Sequence, residues 1–333
     1  MQQVKIGVLC PSEIAFRRFM PAVKKIDQIE YIGIASASAD EWFGTPSDQL
    51  VATEKNKAEN FKNTYGGKVF ADYHTLLNSD EIDAVYIPLP PALHYPWAKL
   101  ALECGKHILL EKPFTSSLAD TEQLIDLASS NDLAVHENYM FVYHNQLDYI
   151  KKQLSAGVIG ELRLIRIDFG FPFRGSNDFR YNKRLGGGAL LDCGGYTLKL
   201  AEQFLGHTAK VTVSQLNYRN DFDVDIYGSA TVTNDSGLTA QLSFGMDNSY
   251  KCSIELWGSK GTIYTNRILT APSGYEPIVT IKNDNGENNI TLPADDTFMK
   301  SIKHFIRCIN DKHERVLHYD DIIRQSALVD SIK

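Results

Sequence analysis

Short apolar runs alternate with segments whose apolar residues recur at helical spacing through roughly the first 140 residues. Residues 4–9 are short and apolar, as a buried strand requires. In Ile14-Ala15-Phe16-Arg17-Arg18-Phe19-Met20-Pro21-Ala22-Val23 the apolar positions follow a helix. Further strands are expected at 31–35, at 84–88 with Pro88 closing it, at 107–110 and at 134–137. Helices are expected at 54–65, ended by Gly66-Gly67, at 95–104 with Gly105 just beyond, and at 117–130. Strands alternating with helices imply parallel pairing through right-handed crossovers, hence a doubly wound α/β sheet.

After about Tyr139 the pattern changes. Residues 162–171 alternate at period two, and further strands are expected at 210–218, 227–232, 239–244, 252–257 and 278–282. Turn sequences such as Asn234-Asp235-Ser236-Gly237 and Asn283-Asp284-Asn285-Gly286 separate some of them. This predicts a second, α+β domain with a large, mainly antiparallel open sheet. Helices return at 299–310 and 320–332. The expected division is 1–122 for a dinucleotide-binding domain and 123–333 for a substrate-binding and oligomerisation domain, with the last helices free to pack back on the first.

The composition, 43% hydrophobic and 23% charged over 333 residues, suits two ordinary globular cores. A net charge of -7 argues against nucleic acid or an anionic membrane as partner. Five scattered cysteines with no C-x-x-C pair fit free thiols in a reducing compartment, and no metal site is expected. With no signal peptide apparent and no apolar run approaching the roughly 20 residues of a membrane span, a cytoplasmic protein is expected.

Two features carry chemistry. Glu111-Lys112-Pro113-Phe114 follows the strand 107–110, and ligands bind at strand ends in an open parallel sheet. A lysine there can donate a proton or stabilise charge, and Pro113 in a cis peptide would aim it. Taken alone, Lys112 reads better as a solvated lysine before a helix. The second feature is Leu185-Gly186-Gly187-Gly188-Ala189-Leu190-Leu191-Asp192-Cys193-Gly194-Gly195-Tyr196. Asp192 and Tyr196 share a helix face, and Gly194 and Gly195 admit close approach of a backbone or a flat ligand. Taken alone, this reads better as a tightly packed core helix with a buried tyrosine.

Together, in this order and spacing, these features resemble the Gfo/Idh/MocA oxidoreductases, the family of glucose–fructose oxidoreductase and inositol dehydrogenase. Ala84-Val85-Tyr86-Ile87-Pro88-Leu89-Pro90 with His94, and Val158-Ile159-Gly160-Glu161-Leu162, extend the resemblance. It implies a Rossmann domain that binds NAD or NADP and a second domain whose open sheet serves dimerisation. Lys112 matches the catalytic lysine of the E-K-P motif; Asp192 and Tyr196 match the acid and the His-or-Tyr of D-x-G-x-[HY]. Tyrosine there resembles the glucose–fructose oxidoreductase and dihydrodiol dehydrogenase branches. The roles implied are proton transfer for Tyr196, pKa lowering and substrate orientation for Lys112, and orientation of a hydroxyl or of the lysine for Asp192. Pro88, Leu89, Pro90, His94, Glu111, Lys112 and Asn138 are implied cofactor contacts. The family segment E-A-F-M-Y-R-F-H-P reads here Glu137-Asn138-Tyr139-Met140-Phe141-Val142-Tyr143-His144-Asn145, with Val142 and Asn145 in place of arginine and proline.

The phosphate loop departs further. In G-x-G-x-x-G the glycines allow a tight turn, approach of the pyrophosphate, and packing of helix on strand. Cys10, Ser12 and Ala15 stand at those positions, all small. Pro11 removes a donor yet suits a helix start, Ser12 is a good N-cap, and the amides that follow, including Glu13 and Ile14, still face out at the positive helix end. A glycine-poor loop of this form, with Ile14-Ala15, Arg17 and Pro21-Ala22, resembles those of sugar ketoreductases. After the second strand, Ser36-Ala37-Ser38 offers no acid before Asp40, which favours NADP over NAD. The expected function is hydride transfer between NADP and a hydroxyl or ketone carbon of a sugar-like substrate. Arg174 and Arg180, among aromatic residues, suit a nucleotide-linked or phosphorylated sugar, or are solvated loop charges. The alternatives are a non-catalytic dinucleotide sensor, favoured by the altered loop, and a trans-dihydrodiol dehydrogenase. A homodimer is the simplest closed assembly.

Overall fold

The structure, a computed structural model, describes residues 3–42 and 44–332. It divides into two compact units. The first runs up to Asn138 and includes Phe298–Ile323; the second is Tyr139–Thr297 with the chain from Arg324 onward.

In the first unit, β1 (Val4–Leu9) leads through a π-helical turn (Ala15–Phe19) into α1 (Met20–Val23). There follow β2 (Ile29–Ala35), α2 (Asp48–Tyr65), β3 (Lys68–Phe70), α3 (Tyr73–Leu77), β4 (Ala84–Ile87), α4 (His94–Glu103), β5 (His107–Leu110), α5 (Leu118–Ser130) and β6 (Val135–Glu137). The strands form one parallel sheet in the order β3-β2-β1-β4-β5-β6. Helices cover both faces, so β4 is buried along its whole length and β1 nearly so. Ser47, Asp72 and Ser117 cap α2, α3 and α5 by accepting the amides of Leu50, Thr75 and Asp120. Gly66 ends α2 in a left-handed conformation, φ 79°. Because β6 pairs with β5, this unit extends to Asn138, beyond the expected boundary at 122.

The second unit contains α6 (Asn145–Ser155), β7 (Leu162–Gly170), a π-helical turn (Leu190–Gly194) and α7 (Gly195–Leu205). Then come β8 (Lys210–Tyr218), β9 (Asp225–Thr233), β10 (Thr239–Gly245), β11 (Lys251–Gly258), β12 (Gly261–Asn266), β13 (Ile278–Asn283) and β14 (Gly286–Thr291). These eight strands form a sheet in the order β14-β13-β12-β11-β7-β10-β9-β8, antiparallel except where β7 pairs with β10. Its inner face, with Ile165, Ile167, Leu242 and Ile254, packs in one core with Leu198 and Ala201 of α7. The outer face carries Arg166, Glu255 and Trp257, with Arg166 bonded to Glu255 and lying over the Trp257 ring.

The chain then forms α8 (Thr297–Asn310) and α9 (Lys312–Asp330). Phe298, Ile302, Phe305 and Ile306 make the buried stripe of α8. Arg315 fastens this segment to the first unit: its guanidinium donates to the carbonyls of Cys308 and Ile309 at the end of α8 and to Asp132. Tyr319 donates to the Leu133 carbonyl. Among the described residues, no helix is long and apolar enough to cross a membrane.

His107, at the start of β5, accepts the Ala134 amide on Nδ1 at 2.9 Å. Burial, reinforced by Arg315, pushes its pKa down to about 4. The folded pKa therefore lies below the free value of about 6.5, so the unfolded chain binds more protons between these limits. Stability is fully expressed above about 6.5 and falls as pH drops towards 4. The urea midpoint is expected to fall from pH 7.5 to pH 5, with a shallower fall in His107→Gln; identical profiles for the two proteins would contradict this assignment.

Candidate active site

The carboxyl ends of β1, β2, β4, β5 and β6 carry Cys10, Ser36-Ala37-Ser38, Pro88-Leu89-Pro90, Glu111-Lys112 and Asn138 in turn. The sheet order reverses between β1 and β4, which opens a crevice at that edge. Cys10 has φ 104°, the left-handed conformation that the first fingerprint glycine would supply. Ser12 caps the helix, its Oγ accepting the Ala15 amide at 3.2 Å. The amides of Glu13 and Ile14 are thus left at the positive helix end, while Ala15 is fully buried where helix meets strand. Burial, then Glu54, pushes the Cys10 thiol up to about 12, so it remains neutral. At the end of β2, Ser36 is buried and the nearest inward-facing acid, Glu41, is committed elsewhere. Its carboxylate accepts the amides of Ser38, Tyr73 and His74 and meets the His74 ring at 2.6 Å. These features fit a dinucleotide: a retained turn, outward amides for pyrophosphate, and at the β2 end a Glu41 carboxylate already taken up by protein donors.

Below this edge lies a buried polar framework. Glu111 accepts the Tyr86 hydroxyl at 2.6 Å and the Asn138 amide at 2.7 Å. Burial raises its pKa, and these two donors oppose the rise. Glu137 accepts the Phe114 amide at 2.7 Å. The Lys112–Pro113 peptide is cis, and Lys112 is half-buried. His94 is fully buried, with Nε2 and Nδ1 each 2.7 Å from a carbonyl, those of Leu89 and Pro113. Burial pushes its pKa down to about 4, so the neutral ring donates to one carbonyl at a time and ties the two loops together.

In the second unit, Asp192 lies in the π turn and Tyr196 in the first turn of α7. The Tyr196 ring packs edge-on against Tyr139 at 5.1 Å and Phe169 at 5.4 Å. Asp192 accepts Arg180 Nε at 2.8 Å, and Arg180 also reaches Asp178. The start of this helix is set by Asp225, which accepts the Leu190 amide at 2.6 Å. A Cβ on Gly188, φ 126°, would stand 2.4 Å from the Asp225 carboxylate, and one on Gly187 2.3 Å from the Arg180 carbonyl.

Two family profiles match the chain: "Oxidoreductase family, NAD-binding Rossmann fold" over residues 30–139, and "GFO/IDH/MocA C-terminal domain" over 147–264. A dTDP-3,4-didehydro-2,6-dideoxy-alpha-D-glucose 3-reductase from Actinomadura kijaniata is 37% identical over 99% of this chain and 95% of its own. The chain belongs to the GFO/IDH/MocA oxidoreductase family. A crystal structure of a 3-ketoreductase from the same organism, in complex with NADP and TDP-benzene, superposes with a TM-score of 0.91 at 36% identity, covering 99% of this chain and 97% of that one. A D-xylose 1-dehydrogenase (NADP(+)) from Haloferax volcanii is 27% identical over 98% of this chain and 95% of its own.

Within this GFO/IDH/MocA chain, the first unit brings Cys10, Pro11, Ser12, Glu13, Ile14, Ser36, Ala37, Ser38, Pro88, Leu89, Pro90 and Lys112 to one sheet edge. Glu111, His94 and Asn138, expected as cofactor contacts, are buried and have protein hydrogen-bond partners. Arg180, expected as a cation for substrate, is held between two carboxylates. Arg174 is exposed and lies over the Phe171 ring at 4.5 Å. Gly194 and Gly195 admit the Phe244 ring and the Tyr139 hydroxyl, not a ligand. Asp225 was not identified from sequence; nothing in its local pattern marks a carboxylate that caps a helix 35 residues away. Gly188→Ala forces both a left-handed alanine and a clash with Asp225, and is expected to cost at least about 2 kcal/mol in urea unfolding. A wild-type midpoint would contradict the close approach.

Proposed function

We propose that the chain reduces a ketone carbon of a nucleoside-diphosphate-linked keto sugar, with NADPH as hydride donor. The observation that carries this reading is the intact carboxyl edge of the first unit: a left-handed Cys10, a capped helix start and a β2 end without an acid. NADPH held there supplies the hydride. The Glu13 and Ile14 amides take the pyrophosphate, and Ser36-Ala37-Ser38 leaves room for the 2′-phosphate.

Tyr196 carries the proton that the reduced oxygen needs, its phenol held in direction by Tyr139 and Phe169. Lys112 offers its ammonium to the charge that develops on that oxygen. Asp192 acts through Arg180, which it holds against Asp178, so it is a positioning residue. Arg174 is the exposed cation suited to a diphosphate. The family relatives support the assignment of Lys112 and Tyr196. The Actinomadura kijaniata ketoreductase was crystallised with a lysine and with a tyrosine replaced, and those positions are separated by the same number of residues as Lys112 and Tyr196. Val213, Tyr227 and Trp257, exposed on the second unit's sheet, support assembly as a homodimer.

With a TDP-linked 3-keto sugar as substrate, Tyr196→Phe and Lys112→Ala are each expected to lower kcat by about 10²–10⁴-fold while the NADPH Kd stays within a few-fold. Wild-type turnover in either variant removes it from the mechanism, and NADPH binding without turnover on any keto sugar would favour a sensor. Ser36→Asp places an acid at the ribose position and is expected to shift preference from NADPH towards NADH by about tenfold or more. An unchanged preference would mean that the 2′-phosphate is not read at the end of β2.

A further inference from the structure

Three imidazoles that no sequence spacing announces meet in the first unit: His136 on β6, His304 on α8 and His318 on α9. One ring nitrogen from each lies within 4.8 Å of the others. The His136 and His318 rings stack at 4.6 Å and 20°, and His304 meets His318 edge-on at 5.0 Å. Cys308, one turn after His304 on α8, places Sγ 3.7 Å from His304 Nδ1. The same Nδ1 is 3.5 Å from His136 Nδ1.

The hydrogen bonds settle which His136 nitrogen is a lone pair. Ser301 has one hydroxyl proton, and it goes to Asn138 Oδ1 at 2.8 Å. The 2.8 Å contact between Ser301 Oγ and His136 Nε2 therefore has the ring as donor. Nδ1 of His136 is then an acceptor, aimed at His304 Nδ1. On the far side of His304, Nε2 is 3.9 Å from the Glu314 carboxylate. His136 and His304 thus turn Nδ1 towards each other, with a hydroxyl and a carboxylate respectively on the Nε2 side, the outer-shell arrangement of metal-bound histidine.

We propose that His136, His304 and His318 bind one divalent transition cation, Zn²⁺ by donor type, with the Cys308 thiolate drawn in as fourth ligand from its place beside His304. In a tetrahedral site, Zn–N near 2.1 Å and Zn–S near 2.3 Å set ligand separations of about 3.4 Å for N···N and about 3.6 Å for N···S. Two of the six edges, both at His304 Nδ1, already have those lengths at 3.5 Å and 3.7 Å, and the three histidine nitrogens lie within 4.8 Å of one another, so closing the site on an ion requires side-chain adjustment at His318 and Cys308. Three nitrogens and a sulfur select Zn²⁺ over Mg²⁺ or Ca²⁺. His304, with its side chain 14% exposed, gives the ion a way in. The ion clips α8 and α9 to β6. It also fixes the His136 tautomer that feeds the Ser301–Asn138–Glu111 chain beneath Lys112.

The test is a Co²⁺ titration of the full chain, stripped with a chelator and with no cofactor or substrate present. One equivalent should give the intense visible absorption of tetrahedral Co²⁺ with a thiolate charge-transfer band, both removed by Zn²⁺, and Zn²⁺ should raise the Tm. His304→Gln should weaken Co²⁺ binding on the order of 100-fold, and Cys308→Ser should abolish the thiolate band, in protein whose circular dichroism is unchanged. A weak octahedral spectrum, no Tm rise, or a tetrahedral spectrum indifferent to His304→Gln would overturn the site and leave three rings packed as aromatics. The readout is binding in the resting protein, so it stands or falls apart from the proposed reaction.

Discussion

A carboxylate with almost no access to water, that of Glu111, holds the active edge of the first unit. A carboxyl group so buried is tolerated only when its oxygens are hydrogen-bonded. Tyr86 comes from β4 and Asn138 from the end of β6, so satisfying Glu111 aligns the ends of three neighbouring strands. Ser301 on α8 locks Asn138 in turn. Lys112 leaves this framework one residue later, and His94 pins the loops on either side through two carbonyls. The place at which Lys112 leaves the sheet is thus set by the buried hydrogen bonds of its neighbours.

The second unit uses a similar device. Asp225 is buried and accepts the amide at the start of the helix that carries Asp192 and Tyr196. Burial raises its pKa and the backbone donors, Leu190 first, oppose the rise. Glycine at 187 and 188 lets the Arg180 carbonyl and the Asp225 carboxylate come close enough. In both units a buried carboxylate fixes the element that carries a candidate residue: Glu111 through the side chains of Tyr86 and Asn138, Asp225 through the Leu190 amide. A π turn, a feature frequent at functional sites, lies in the helix start after β1 (Ala15–Phe19) and in the turn that carries Asp192 (Leu190–Gly194).

Much of this was legible in the sequence where a residue's role is local. Buried parallel strands are apolar throughout, so β1, β4 and β5 stood out, and Ser117 and Gly66 marked helix ends by their own chemistry. The short β3 and α3 did not, since three to five residues show no period. Polar β14 was hidden because it is exposed along nearly its whole length, and α6 because buried Gln146 breaks its apolar stripe. The candidate site followed the same rule. Ser12 as a cap was readable from type and place, whereas the left-handed Cys10 was not, because a non-glycine residue conceals that backbone state. Pairings such as Arg180 with Asp192, or Leu190 with Asp225, depend on tertiary approach and leave no spacing signature.

The central claim is that a loop without its glycines keeps a dinucleotide site, because the backbone at Cys10 and the capped helix start retain the required geometry. Titration of the purified protein with NADPH, followed by nicotinamide fluorescence, tests it most directly. Saturable one-site binding, tighter than for NADH and retained in Cys10→Gly, is the predicted result. No saturable binding of either nucleotide would contradict the account, since the β1–β4 crevice would then be a fold feature without a ligand.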